Sequence, residues 1–449
     1  MKLYNTPAKK VEEFKPTGDT VKIYTCGPTV YSHPHIGNYA SYIYWDLLIR
    51  ALKAEGYQVK RVLNLTDVGH LVSDADEGED KLEKGAAREG KTVWEIAEFY
   101  INDFFDGFHK LNLTEPDVVA RATDYIEQIK AAVTKMTENG FTYETEDGIY
   151  FDTSKFAGYA DFAHLDLENL KAGARVEFSN EKRNVSDFAV WKFIKPGEKH
   201  AMRWDYLGRP GYPGWHIECS TIIDTELGEP IDIHTGGIDH VPIHHTNEIA
   251  QTYAISGRTL ANYWLHCDFI MIDGQKISKS LGNVYTLDDL IERGFDPMDF
   301  RLWILQGHFR GERNFTFDDL TAAKNRRLSW RNRVASTRWQ GVDEGDSKYT
   351  ASQILASVSD NLNSAAACAV IDSQPMSMND WEFLDSLFGL NLLGTTPDIT
   401  DEQKSILADR ATARTNKDWA TSDELRAKLE ASGITVKDTA AGQIWQYLN

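Results

Sequence analysis

A strand that ends in a glycine-proline turn, followed by a long helix and a second strand, is the feature that most restricts this chain. VKIYTCGPTV (21–30) is a run of β-branched, aromatic and apolar residues that stops at Gly27-Pro28. SHPHIGN then leads into YASYIYWDLLIRALKAEG, where Ile43, Leu47, Leu48 and Leu52 recur at helical spacing and Gly56 supplies a stop. QVKRVLNLT (58–66) reads as the second strand. Two strands joined through a helix cannot close as a hairpin. They form a βαβ unit, which predicts an α/β fold with a doubly wound parallel sheet.

The chain has 449 residues, enough for two to four domains. Apolar residues at 42% and charged residues at 26% exclude a collagen-like, coiled-coil or largely disordered chain. No apolar run approaches the roughly 18 residues that span a bilayer, so no membrane partner is expected. The opening MKLYNTPAKKVEEF has no apolar core of the kind a secretory leader needs. Cys26, Cys219, Cys267 and Cys368 are far apart and form no disulfide framework, which suits a reducing cytoplasm. A net charge of −20 argues against non-specific coating of DNA and leaves room for a local basic patch.

Further along, residues 92–110 and 122–138 read as helices, and 140–200 as short strands with charged turns. IDIHTGGID (231–239) repeats the strand-then-glycine style, with a helix from about 243. The chain is mostly helical beyond about 287, with a polar linker at 341–350. A tail follows: a helix over 417–432, then ITVKD and QIWQYL as strands.

Five constellations carry chemistry. His35, Gly37 and Asn38 sit where a strand turns into a helix, whose free N–H groups and positive dipole end suit phosphate; the same residues also make an ordinary capped turn. Lys276-Ile277-Ser278-Lys279-Ser280 is a cationic loop able to close on a triphosphate and stabilise charge at the leaving pyrophosphate, or simply a solvated basic loop. The two together are a far stronger signal than either alone. His244 and Glu248 stand at i and i+4 on one helix face, half of a zinc site. Cys26, at the end of the first strand, and Cys219 are candidates to complete it, although buried thiols are common core residues. Gly236 and Gly237, after the strand IDIH, permit close approach of an adenosine, and Asp239 is placed to accept from ribose hydroxyls; a tight turn reads equally well. Lastly, Lys324, Arg326, Arg327, Arg331, Arg333 and Arg338 interleave with Trp330 and Trp339 and no acid, a pattern that fits either an RNA-backbone footprint or a solvated helix face.

Together these segments resemble the cysteinyl-tRNA synthetases, a family of class I aminoacyl-tRNA synthetases. YTCGPTVYSHPHIGN looks like its first-strand cysteine and nucleotide signature. NLTD (64–67), ARVEF (174–178), KRNVSDFAVWK (182–192), GWHIECS (214–220), DIHTGGID (232–239), HHTNEIAQ (244–251) and KISKSLGN (276–283) continue the match. The tail segments ARTNKDWATSDELR, GITVKD and GQIW complete it.

The resemblance implies a Rossmann-type sheet split by an insertion, then a helical bundle and a small α/β anticodon-binding module. The implied ranges are 1–110 and 201–270 for the catalytic halves, 111–200 for the insertion and 271–340 for a stem-contact region with the KISKS loop. The bundle is 341–400 and the anticodon module 401–449. It also implies the activity: joining L-cysteine to tRNA(Cys) through a cysteinyl-adenylate, with Mg-ATP consumed to AMP and pyrophosphate. Cys26, Cys219, His244 and Glu248 match the zinc ligands, one zinc per chain, with the substrate thiolate bound by the metal. Thr66 and Trp215 match the cysteine pocket. His35, Asn38, Lys276 and Lys279 match the ATP signatures, and His234 and Asp239 lie near the adenylate. Arg414, Asp423 and Asp438 match anticodon contacts, with Trp419 among them. A monomer is expected.

The chain departs from the family pattern in places. Asn38 replaces the second signature histidine, Ile277 a methionine, Thr235 a glycine and Thr246 a glutamate, and residues 68–81 differ from the common pattern. None removes a group the chemistry must have. Thr235 is expected to narrow the adenosine pocket.

Overall fold

The computed structural model describes residues 1–68, 82–83, 85–86, 90–165, 181–198, 200–278, 281–340, 349–439 and 442–448. They fall into two compact units. The first is Met1–Ile270 with Ile277–Leu287 and Phe309–Arg313; the second is Met271–Lys276, Asp288–His308 and Asn314–Asn449.

The first unit opens with an antiparallel hairpin, β1 (Lys2–Asn5) and β2 (Lys10–Glu13). Then β3 (Thr20–Thr25), helix α1 (Ile36–Ala54) and β4 (Gln58–Leu65) form the expected βαβ unit. Val21, Ile23, Val62, Leu63 and Leu65 are fully buried, as in a parallel sheet covered on both faces. Ile43, Leu47, Leu48 and Leu52 are the buried stripe of α1. Beyond α2 (Val93–Lys110), β5 (Val118–Arg121) pairs parallel with β4.

Next comes a second layer. Helix α3 (Ile126–Glu138) packs with an antiparallel sheet of β6 (Thr142–Glu144), β7 (Gly148–Phe151), β8 (Phe188–Phe193), β9 (Trp204–Tyr206) and β10 (Arg209–Pro213). Ile129, Val133, Phe151, Val190 and Trp191 share one core with Ile217, Ala250 and Ala254 of the helices that follow. This sheet runs to Pro213, past residue 200, while Val118–Arg121 belongs to the parallel sheet.

The chain then returns through α4 (Ile217–Glu226), β11 (Ile231–Gly237), α5 (Thr246–Ser256) and β12 (Ala261–Cys267). The parallel sheet has the order β12-β11-β3-β4-β5. The chain winds one way from β3 to β5 and the other way from β11 to β12. Strand order therefore reverses between β3 and β11, and the crevice at the carboxyl ends of that pair is where such sheets bind ligands. Thr25 pairs with Thr235, so Cys26 and Gly236 leave adjacent strand ends together.

The second unit is mostly helical. Its longest helix, Phe317–Gln340, precedes the helices Thr350–Ser359, Ser364–Ser373 and Met378–Phe388. Helices Asp401–Thr415 and Trp419–Ala431 close against a hairpin of Ile434–Thr439 and Gly442–Tyr447. Leu407, Leu429, Ile434, Val436 and Trp445 are the core of that last module, with Ala335 of the long helix. Among the described residues, no helix is long and apolar enough to cross a membrane.

Candidate active site

Four chain segments meet at the switch point. Cys26 follows β3; Cys219 lies on α4; His244 lies in a π-helical turn, Val241–His245; Glu248 is in the first turn of α5. One ligand atom from each lies within 4.8 Å of all the others. The spacing of His244 and Glu248 alone presents one pair of donors. The fold adds the thiols from strand and helix ends far away in sequence.

The donor set fits a thiophilic divalent ion such as zinc: two sulfurs, an imidazole and a carboxylate. Glu248 Oε1 is fully buried, lies 2.7 Å from His244 Nε2, and has no well-aligned hydrogen-bond donor among the described residues. Nδ1 of His244 is 2.6 Å from Nδ1 of His216, which leaves Nε2 directed at the cluster. Electrostatics agrees. Burial pushes the Cys26 thiol up to about 11, and the Glu248 charge adds to it. Burial also drives Cys219 well above its ordinary value. Burial opposes the charge on His244, but Glu248 and Cys219 together outweigh it and raise the imidazole well above its ordinary range. Glu248, despite burial, is held well below the usual carboxylate range by His234 and His244. Two buried thiols that resist ionisation beside a carboxylate gain most from a bound cation.

A second set overlaps the first: Cys26, His234, His245 and Glu248 also come within 4.8 Å of one another. It shares Cys26 and Glu248 with the first. His234 Nε2 is 2.6 Å from Glu248 Oε2, and His245 Nε2 is 3.3 Å from Cys26 Sγ. The two rings thus contact two of the candidate donors of the first set. The contacts continue outward, since His245 Nδ1 is 2.7 Å from His266 Nε2, and His266 Nδ1 is 2.7 Å from Thr6 Oγ1. Burial and the neighbouring His234 keep His245 and His266 well below the ordinary imidazole range.

His216, His240, His245 and His266 were not singled out by sequence reasoning. One signal was available: six of the thirteen histidines fall between 216 and 266. His216 also adopts φ 80°, a left-handed backbone unusual for a side chain of this size, at the N-cap of α4.

The other expected residues are placed as follows. The Trp215 ring stacks on His216 at 4.9 Å and lies 6.1 Å from His244, beside the donor cluster. Thr66 is buried after β4, and its hydroxyl accepts from Asn64 Nδ2 at 3.1 Å. His35 and Asn38 form a reciprocal capping box at the start of α1. His35 Nδ1 accepts from the Asn38 backbone N–H at 3.3 Å, and Asn38 Oδ1 accepts from the His35 backbone N–H at 3.0 Å. The signature pair thus sets the helix origin. A Cβ on Gly37 would stand 2.7 Å from Ile277 Cδ1, so the missing side chain makes room for the KISKS segment.

Gly236 needs its bare Cα for a similar reason, because a Cβ would meet the rings of His240 and His245 at 2.7 Å. Asp239 is exposed in the turn that follows β11. Thr235 does not face that turn. It is buried within β11, and its hydroxyl donates to the Tyr24 carbonyl at 3.3 Å. Thr246 is likewise buried and donates to the Val241 carbonyl at 2.8 Å.

Lys276 pairs with Met271 on a short, exposed strand of the second unit. Lys279 lies outside the described residues, as do 174–178 and 69–81 of the segments read above. In the C-terminal module, Arg414 Nε is 3.2 Å from Asp438 Oδ1 and its guanidinium lies over the Trp419 ring. Asp423 is exposed on the helix Trp419–Ala431.

The cations of the basic run have partners within their own unit. Arg327 Nε is 2.7 Å from the buried Asp299 carboxylate. Arg326 pairs with Asp372, and Arg331 donates to the Thr395 carbonyl at 2.6 Å. Arg333 donates to the carbonyls of Ile371 and Gln374, Arg338 to that of Thr396, and Lys324 to that of Gly294. Trp330 is buried and donates to Asp372. The cations clasp the long helix to its own unit.

Known proteins share this organisation. The family described as tRNA synthetases class I (C) catalytic domain matches residues 13–325, and the cysteinyl-tRNA ligase anticodon binding domain matches 396–445. A cysteine–tRNA ligase of Burkholderia lata is 42% identical over 453 residues, covering 98% of this chain and 96% of its own. One of Treponema denticola is 37% identical over 492 residues, covering all of both.

The chain belongs to the cysteine–tRNA ligase family.

It is therefore an enzyme of the class I aminoacyl-tRNA synthetases. The fold is shared more widely than the sequence. Mycobacterium tuberculosis methionyl-tRNA synthetase in complex with methionyl-adenylate superposes with a TM-score of 0.58 at 15% identity, over 88% of this chain and 84% of that one.

Proposed function

We propose that this synthetase attaches L-cysteine to tRNA(Cys) through a cysteinyl-adenylate, releasing pyrophosphate and AMP. The observation that carries the reading is the convergence of Cys26, Cys219, His244 and Glu248 at the switch point of a chain that matches cysteine–tRNA ligases along its whole length. These four residues would hold zinc, which when bound supplies a soft position for a thiolate that a serine hydroxyl fills poorly. Trp215 and Thr66, beside that position and beside the end of β4, would close the amino-acid pocket.

The remaining work falls to the chain's own groups. The cysteine carboxylate attacks the α-phosphate of Mg-ATP in line. The start of α1 turns its positive dipole end toward phosphate, and the His35–Asn38 box holds that helix end rigid. Gly236 and Gly237 let adenosine approach the strand end, with Asp239 accepting from ribose and His234 nearby. Lys276 and Lys279 would stabilise charge on the departing pyrophosphate. The terminal ribose hydroxyl of the RNA then attacks the acyl carbon and frees AMP.

The parallel sheet, with β5 up to Arg121 and the segments after Pro213, would form the catalytic halves around an insertion between them. A stem-contact region would occupy 271–340, a bundle 341–400 and the anticodon module 401–449, where Arg414, Asp423, Asp438 and Trp419 would meet unstacked bases. A cytoplasmic monomer suits these substrates.

The test is charging of total tRNA with labelled cysteine, ATP and magnesium, with serine as control. Cysteine-specific charging is expected. Cysteine-dependent pyrophosphate exchange without charging would redirect the reading to another acceptor, and no exchange would overturn it.

A further inference from the structure

The C-terminal module contains a buried cation that the reading above leaves without a role. Arg410, on the helix Asp401–Thr415, is 1% exposed. Its guanidinium grips one carboxylate with both prongs: Nη1 donates to Asp438 Oδ1 at 2.9 Å and Nη2 to Oδ2 at 3.0 Å. Nη1 also donates to Gln443 Oε1 at 2.8 Å. Asp438 and Gln443 are register partners across the hairpin, so one guanidinium ties both strands to the helix. Such a fork fixes the plane of a carboxylate as well as its place.

The other side of Asp438 faces outward. Its side chain is 37% exposed. Arg414 flanks it at 3.2 Å and lies 5.4 Å over the ring of Trp419, itself 55% exposed. An acceptor, a donor fork and an exposed aromatic face thus stand side by side. The hydrogen bonds from Arg410 hold the Asp438 carboxyl below its ordinary range, so it accepts and does not donate. Burying an arginine for stability alone is poor value, because apolar replacements are often as stable. Fixing a partly exposed carboxylate is a better reason for it.

We infer that Arg410 is a positioning residue for anticodon reading: it holds Asp438 in the one orientation in which its outer edge, with Arg414 and the Trp419 face, meets a splayed base that presents N–H donors. Arg410 does not touch RNA itself. The inference rests on Asp438 contacting RNA, as proposed above.

The full chain is tested with two RNAs, a cognate transcript and one with a substituted anticodon base. The variants are Arg410→Met, Arg410→Lys, Asp438→Ala and the Arg410→Met/Asp438→Ala double. Asp438→Ala and Arg410→Met should each raise the charging KM for the cognate RNA by about tenfold, with kcat changed less than about threefold. Both should shrink the preference for the cognate RNA, and the double variant should be no worse than Asp438→Ala alone. Arg410→Lys should restore only part, since an ammonium cannot serve both oxygens at once. The preference is a ratio of two RNAs on one preparation, so a smaller folded fraction does not move it. If Arg410→Met slows both RNAs equally, or its effect adds to that of Asp438→Ala, Arg410 is merely structural and the inference is overturned. If Asp438→Ala changes nothing, the anticodon role of Asp438 falls and takes this inference with it.

Discussion

Replacing Arg327 with alanine separates a structural clasp from an RNA footprint. Arg327 and Asp299 have side-chain exposures of 5% and 0%, and their contact is 2.7 Å. Asp296 offers a second carboxylate at 3.4 Å. Removing the arginine leaves the Asp299 carboxylate in the interior with, among the described residues, one hydrogen bond, from the Asp296 backbone N–H. Breaking a buried pair from one side costs about 3–5 kcal/mol, which lowers the melting temperature of a domain of this size by about 6–20 °C. Lys324→Ala removes a charge of the same sign on the same helix, with a hydrogen bond to the Gly294 carbonyl worth about 1 kcal/mol and a 5.5 Å approach to the Phe295 ring. The assay is thermal unfolding of the full chain by tryptophan fluorescence, beside the salt dependence of the charging KM for RNA. The expected result is a large loss of stability for Arg327→Ala, a small one for Lys324→Ala, and an unchanged salt slope for both. An unshifted melting temperature together with a shallower salt slope in Arg327→Ala would refute the clasp and restore the footprint.

Three further outcomes follow from the site. On the proposed assignment Cys219→Ser removes a zinc ligand, so zinc affinity and cysteine-dependent pyrophosphate exchange should fall together, by more than the about 10–100-fold typical of outer-shell changes; full metal occupancy by elemental analysis would count against this ligand. Lys279→Ala should slow single-turnover adenylate formation by about 100-fold or more with little change in cysteine binding, and an unchanged activation rate would remove Lys279 from the mechanism. Glu229 is half-buried, accepts from Ser256 at 2.9 Å, and burial raises its carboxyl from 4.5 to about 7. A raised acid binds its proton more tightly folded than unfolded, so its contribution is most favourable below about 4.5 and is lost as pH rises through about 7. Glu229→Gln should therefore raise the melting temperature at pH 8 and leave it unchanged near pH 4.5; equal shifts at both would show that the carboxylate is not penalised.

The βαβ unit was legible because both of its periods are local. Strand residues Val21 and Ile23, and the stripe Ile43, Leu47, Leu48 and Leu52, declare themselves within a few positions. The helix start at 93 and the closing hairpin of the tail follow the same logic. The four donors were legible only in part. His244 and Glu248 share a helical spacing, but Cys26 and Cys219 join them through strand order, which spacing does not encode; family resemblance supplied that link. The neighbouring histidines were missed because no local pattern separates a candidate donor from a ring beside it. The basic run was ambiguous for a related reason. Its partners Asp372, Thr395 and Gln374 lie some 40 to 65 positions away, so the sequence showed six cations and not what neutralises them.

The wide separation of the four donors has a consequence for how the enzyme is made. Cys26 is synthesised more than two hundred residues before Glu248. At about 5–20 residues per second, the ribosome spends roughly 10–45 s between them. For that interval the nascent chain carries a thiol whose final partners do not yet exist. An oxidant that captures Cys26 early would have to be removed before the proposed donor set could form. On the proposed zinc assignment, the full donor set cannot close on a metal until Glu248 has been translated.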